Sequence, residues 1–459
     1  MIERIEVLGP LVSECTLPGE TKADQVFPAH ANGVPLSKDR WLITFSTRGY
    51  RFGDDELSAV YQIREGSPVG RVIKEGWFSR AHDQWQPLDD GVKYFRQHGH
   101  PVTFGVPKGA LVNGRRVPHE NIFVTKWRIL GLDVHKPGNW NGWAGEWPRR
   151  NSETQDVEWI QYRLNDAGDD IEILSPARPL RQKGLEGGRI CCHTPAGEPL
   201  ERMNQTFVQA VPFNADCSEW ADVNHFPGGR LAALKYRFNP ATGLYDWVET
   251  GPLIESGSPE ISLFESSLVR GDDAWIIVAR KALTPQTDKG PVVEARAGRE
   301  DRKFNETGGA WFRTADPFGR TEAPVYPQTP NCYNVPMTAF RCPDGIIRLF
   351  SGDASLSQPP LGRRNPLRCW EIDPHTFEAS QHRVVFNALE YPGLPIRRSA
   401  DKPEWTPACD FGKLLAHTGG REQYLVHRCH VNRVENAYAG VYHEKIVYSE
   451  DCAPAWSFE

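Results

Sequence analysis

Apolar and polar residues alternate in short runs along most of the chain, and the runs come in pairs divided by a polar turn. "GVPLSKDRWLITFSTRG" (33–49) sets a Lys-Asp turn between two such runs, and "ESSLVRGDDAWIIVAR" (265–280) turns at Gly271-Asp272. "DVNHFPGGRLAALKYRFNPATGLYDW" (222–247) has Gly228-Gly229 at its expected hairpin. "NVPMTAFRCPDGIIRLFSG" (334–352) turns at Pro343-Asp344-Gly345, and "PACDFGKLLAHTGGREQYLVHR" (407–428) at Gly419-Gly420. A weaker region, 119–175, carries "ENIFVTKW" and "EWIQYRLNDAGDDIEIL". Strand–turn–strand units recurring every 40–75 residues or so predict the four-stranded blades of a β-propeller. The count gives six candidate blades, with five or seven as the alternatives, in a single all-β domain over 1–459. Apolar positions at helical spacing are hard to find, so no helical domain is expected.

Composition sharpens that reading. At 459 residues the chain exceeds the length at which one core stops growing, so repeated modules suit it better than a single core. Its 41 Gly and 37 Pro make it turn-rich, and 15 Trp, 13 Tyr and 21 Phe supply bulky strand residues. A net charge of −6 argues against a general nucleic-acid binder, which would carry a basic excess. No apolar run approaches the length of a membrane-spanning helix, so no membrane partner is expected. The N-terminus lacks the basic-then-apolar pattern of a secretory signal, which points to the cytoplasm, or to a secreted or periplasmic protein where a signal has been removed. The 10 Cys form no CxxC pair and Cys191-Cys192 are adjacent, so reduced thiols are expected rather than a disulfide framework.

Two stretches break the alternation. Residues 80–120, rich in Gly, Pro and His, read as a long insertion, and 136–150 ("KPGNWNGWAGEWPRR") as another, with clustered Trp suited to stacking on a sugar or plugging a loop.

Several modules resemble the sialidase (neuraminidase) superfamily and its BNR-repeat relatives. Glu265, a strand, a polar turn, a strand and Arg280 resemble the segment carrying that family's catalytic glutamate and the second arginine of its carboxylate-binding triad. "GRRNPLRCWEID" (362–373) resembles the strand bearing the third arginine, with Arg364 the better match and Arg363 beside it. Arg48 after "LITFST", followed by Asp54-Asp55, resembles the loop that holds the acid/base aspartate. "YSEDCAPAW" (448–456) is similar to a degenerate Asp box, with Ser449, Asp451 and Trp456 in place and Ala453 and Ala455 as departures. The chain also departs where "HANGVP" (30–35) replaces the first triad arginine, leaving His30 or Asn32 near its place. Ala408, Cys409 and Asp410 stand where the tyrosine nucleophile would be.

The resemblance implies an exo-glycoside hydrolase acting on a terminal, acidic sugar, with no cofactor. Glycoside cleavage needs an acid at the leaving oxygen and a second group at the anomeric carbon. Asp54, Asp55, Glu265 and Asp410 are the candidate catalytic carboxylates, and His30, Arg48, Arg280, Arg363 and Arg364 the candidate substrate-binding residues. His98, His100, His119 and His225 join His30 in a second constellation that would serve a polysaccharide lyase cleaving uronate-containing glycans by β-elimination. Their spacing does not support a metal site. A non-catalytic carbohydrate-binding propeller is the third expectation.

Overall fold

The computed structural model describes residues 1–12, 26–49, 56–80, 86–87, 93–112, 114–133, 156–182, 191–192, 197, 199–202, 205–214, 230–258, 261–283, 286–287, 290–291, 309–327, 329, 332, 336–352, 364–392, 394, 407–431 and 438–458. Among these there is no helix, and every pairing between strands is antiparallel. None is therefore a helix long and apolar enough to cross a membrane.

Besides a two-stranded ribbon and a small sheet of three short strands, six sheets follow one another along the described chain. The first is the meander Val26–Ser37, Arg40–Gly49, Glu56–Glu65 and Val72–Arg80. The second runs Lys93–Val106, Ile122–Asp133, Asp156–Leu164 and Ile171–Pro179. In the third, the short strands Cys191–Cys192 and Leu200–Arg202 both pair with Thr206–Asn214, and Leu231–Asn239 and Leu244–Thr250 complete it. The fourth holds Ile261–Arg270, Trp275–Leu283 and Ala310–Thr314, with Val325 bridging to Trp311 beyond them. The fifth is Thr338–Arg341, Ile347–Gly352, Leu367–Ile372 and Ala379–Phe386. The sixth runs Pro407–Leu414, Gly420–Val431 and Tyr438–Cys452, and its outer strand is the N-terminal Ile2–Val12.

Successive side chains point to opposite faces, and inner strands such as Ile347–Gly352 and Pro407–Leu414 bury residues on both, so each sheet must be covered twice. Six buried clusters do this, one between each pair of successive sheets. Phe123, Trp127 and Tyr162 pack with Leu42 and Ile63 between the first and second. Phe104 and Trp159 meet Phe207 and Tyr236 between the second and third, and Val208 and Leu231 meet Leu263 and Ile277 between the third and fourth. Val278 and Trp311 meet Leu349 and Trp370, and Phe350 and Leu367 meet Leu425 and Tyr442. Val426 and Val441 then pack on Trp41 and Phe45 of the first sheet, which closes the ring. This is a β-propeller.

The structure departs from the sequence reading in the first of the two long insertions. Residues 80–120 include the 14-residue strand Lys93–Val106, the first strand of the second sheet, so they are not simply an insertion. Its "RQHGHPVTFGV" lacks clean alternation because a bulge interrupts it. The third-sheet hairpin turns at 240–243, where Gly243 has φ +70° and its N–H returns to Asn239 O, while Gly228 and Gly229 lie outside the described residues. The Trp-rich stretch 136–150 also lies outside them.

Candidate functional site

A repeated backbone device builds the site. The first strands of the first, second, fourth and sixth sheets each carry one extra residue relative to their partner strand, at 30–31, 100–101, 265 and 411–412. At each bulge a side-chain-bearing residue takes a left-handed backbone: His30 (φ 48°), His100 (53°), Glu265 (44°) and Phe411 (54°). Such residues cost about 1–2 kcal/mol each in backbone strain, which surrounding structure must hold.

Two ion-pair centres sit at these bulges. Arg280, on the second strand of the fourth sheet, donates from Nη1 to Glu265 Oε2 at 2.8 Å. Both side chains keep a little exposure, 17% and 10%, so the pair can meet a ligand. Asp410, fully buried just before the sixth-sheet bulge, is the second centre. Arg428 lies directly opposite on the neighbouring strand and grips it with both arms, Nε to Oδ1 at 2.8 Å and Nη2 to Oδ2 at 2.7 Å. Arg364 donates to the same Oδ2 from the turn that precedes the fifth sheet's third strand. The Arg364 backbone reaches this place because Gly352 has no Cβ: one there would stand 2.7 Å from Arg364 Cα.

The two centres share one electrostatic neighbourhood. Burial pulls the Arg280 guanidinium down, Glu265 opposes it, Arg364 adds to it and Asp410 opposes again. For Asp410, burial pushes the carboxyl up, but Arg428 and Arg364 outweigh it and the net direction is down. Arg428 also spends Nη1 on His30 Nε2 at 2.7 Å. A guanidinium only donates, so Nε2 of His30 is an acceptor and Nδ1 carries the ring proton. His30 stacks against His100 with centroids 3.7 Å apart, and Phe411 closes on both rings edge-on.

The sequence-derived residues therefore sort as follows. His30, Glu265, Arg280, Arg364 and Asp410 come together. Arg48 lies on Arg40–Gly49 opposite Phe27, near the bulge end of the first sheet, and nothing is described of its side chain. Asp54, Asp55, Arg363 and His225 lie outside the described residues. His98 is on the strand Lys93–Val106 opposite Ile129. His119 belongs elsewhere: it follows that strand's far end, is exposed, and stacks on Phe238 at 4.4 Å beside a cleft of about 490 Å³ that Arg163 and Glu120 also line. Asn32 accepts weakly from Thr44 Oγ1. Of the Asp-box residues, Ser449 accepts from the N-terminal amine and Trp456 packs against the cluster between the second and third sheets. Arg428 was missed, since its signal is positional: it is the residue opposite Asp410 once the bulge is counted. Among the described residues no group of three or more His, Cys, Asp or Glu is placed to hold a metal.

No family model matches the sequence. The isoleucine–tRNA ligase of Pyrobaculum aerophilum is 25% identical over 150 residues, 32% of this chain and 13% of that protein. The chain thus spans about an eighth of the length of the curated relative it matches. A protein of unknown function from Dyadobacter fermentans superposes with a TM-score of 0.51 at 10% identity, over 97% of this chain and 100% of that one. The intramolecular trans-sialidase of Ruminococcus gnavus superposes with a TM-score of 0.50 at 8% identity, over 95% of this chain and 97% of that one. The fold is sialidase-like. At such identities the likeness is one of architecture alone.

Proposed function

We propose that the chain is a glycoside hydrolase acting on a terminal, acidic sugar at the end of the ring where Glu265, Arg280 and Arg364 meet. The observation that carries this is the convergence of the Glu265–Arg280 pair with Arg364, from strands about 100 residues apart, in side chains that retain some exposure. An ion-paired carboxylate suits the attacking or proton-accepting role, and Asp54 or Asp55 would supply the acid. Arg280 and Arg364 would bind the anionic group of the sugar. Asp410 has a different part in this reading. Fully buried and held by two arginines, it positions Arg364 and does not attack.

The state of His30 favours hydrolysis over β-elimination. A lyase with His30 as its base would need that residue's acceptor nitrogen free, and Arg428 occupies it. The test is a panel of chromogenic sialosides, glucuronides and neutral glycosides, with Glu265→Gln as control. Turnover of an acidic glycoside that falls at least ~100-fold in Glu265→Gln, in a variant whose circular dichroism shows it still folded at the assay temperature, is expected. Absorbance of an unsaturated uronate would replace this reading with the lyase, and saturable binding without turnover would replace it with the binding propeller.

A further inference from the structure

The rung next to the Asp410–Arg428 pair consists of two thiols. Cys409 and Cys429 stand directly opposite one another, with sulfurs 3.8 Å apart and neither side chain exposed. The Cys409 N–H points away from its partner strand and donates to Arg364 O at 2.8 Å. This makes the rung a non-hydrogen-bonded one, where facing Cα atoms approach to about 4.5 Å and side chains come closest. That separation falls inside the range a disulfide spans, and closing the bond asks each sulfur to swing by only about 1 Å.

We propose that Cys409 and Cys429 are a covalent modification site, joined as a cross-strand disulfide when the chain folds in the presence of a low-molecular-weight disulfide such as oxidised glutathione. One thiolate attacks the glutathione disulfide and expels a glutathione thiol. The second then attacks the mixed disulfide and expels another. Two protein thiols are oxidised, one small disulfide is reduced to two thiols, and both protons leave with them. The exchange belongs to folding, before the sheet is covered. In the finished protein burial pushes the Cys409 thiol up, and Cys429 and Asp410 push it further, so the buried sulfur is a poor nucleophile.

The bond would brace the ladder that carries the site. Cys409 is joined through its backbone to Arg364, and the following rung holds Asp410 and Arg428. The proposal does not depend on the hydrolase reading, because its readout is chemical.

The test refolds the full chain from denaturant in mixed reduced and oxidised glutathione, alkylates the remaining thiols under denaturing, non-reducing conditions, and maps the peptides. The expected result is one linked peptide pair joining Cys409 to Cys429, with Cys342 and Cys369 alkylated. Alkylation of both Cys409 and Cys429, or a link from either to another cysteine, overturns the proposal. The oxidised protein should also melt several degrees above the same protein after reduction. The double variant Cys409→Ser with Cys429→Ser should lose that difference. Equal melting of oxidised and reduced wild type would overturn the bracing role.

Discussion

Asp410 presents no surface to water and accepts three hydrogen bonds from two arginines. Removing its charge leaves Arg428 buried beside a neutral group, the kind of change that costs about 3–5 kcal/mol. Asp410→Asn should therefore lower the urea midpoint far more than an exposed Asp→Asn change, and a near-wild-type midpoint would refute the clamp. Because the folded carboxyl lies below its unfolded value, its contribution is present above about pH 4 and is lost as pH falls through the folded value. That acid-side loss should be absent from the variant. Glu265, Arg280, Arg364 and Asp410 were legible as residues because the segments that carry them resemble those of a known family. Arg428 was not. An unbroken ladder from Leu414 opposite Leu425 would set Asp410 against Cys429, and only the extra residue in the bulge brings Arg428 opposite it.

Between residue and ring stands the bulged first strand, and its chemistry is the left-handed backbone at His30, His100, Glu265 and Phe411. Alternation patterns do not announce a bulge: the extra residue flips the phase, so "QHGHP" read as a loop although it lies within a 14-residue strand. A β-branched side chain tolerates this backbone worst, whereas Asn tolerates it comparatively well. His100→Val should thus cost at least about 1 kcal/mol more than His100→Asn in denaturant melts. Equal losses would show that ring stacking, and not backbone strain, governs the position. A second element-scale constraint pins the N-terminal strand. His443 donates from Nδ1 to Gly9 O at 2.9 Å, and burial, aided by Arg64, pushes its imidazole down to about 4. Between that value and the unfolded one near 6.5, the unfolded chain binds a proton that the folded chain refuses. Stability should fall as pH drops across this window, by up to about 3 kcal/mol, and His443→Gln should flatten the dependence. A slope unchanged by the substitution would assign it to another group.

For the whole molecule, the all-β class and the repeated hairpins were legible because each strand pair carries its own alternation and turn. The short strands Cys191–Cys192 and Leu200–Arg202, which pair with Thr206–Asn214, were not legible, because two or three residues carry no alternation. Ring closure was equally hidden, since no local pattern states that Ile2–Val12 pairs with Tyr438–Cys452. Removing residues 1–12 should bare the outer edge of that last sheet, lower the melting temperature and promote association through the open edge. A truncated chain that stays monomeric and melts like the full one would refute the closure. The pairing of Ile5 with Ile446 also bears on synthesis. At roughly 5–20 residues per second, the first strand waits from about 20 seconds to well over a minute for its partner to leave the ribosome. Throughout that interval Ile2–Val12 lacks the strand it pairs with, so this protein should lean on chaperones until Tyr438–Cys452 has emerged.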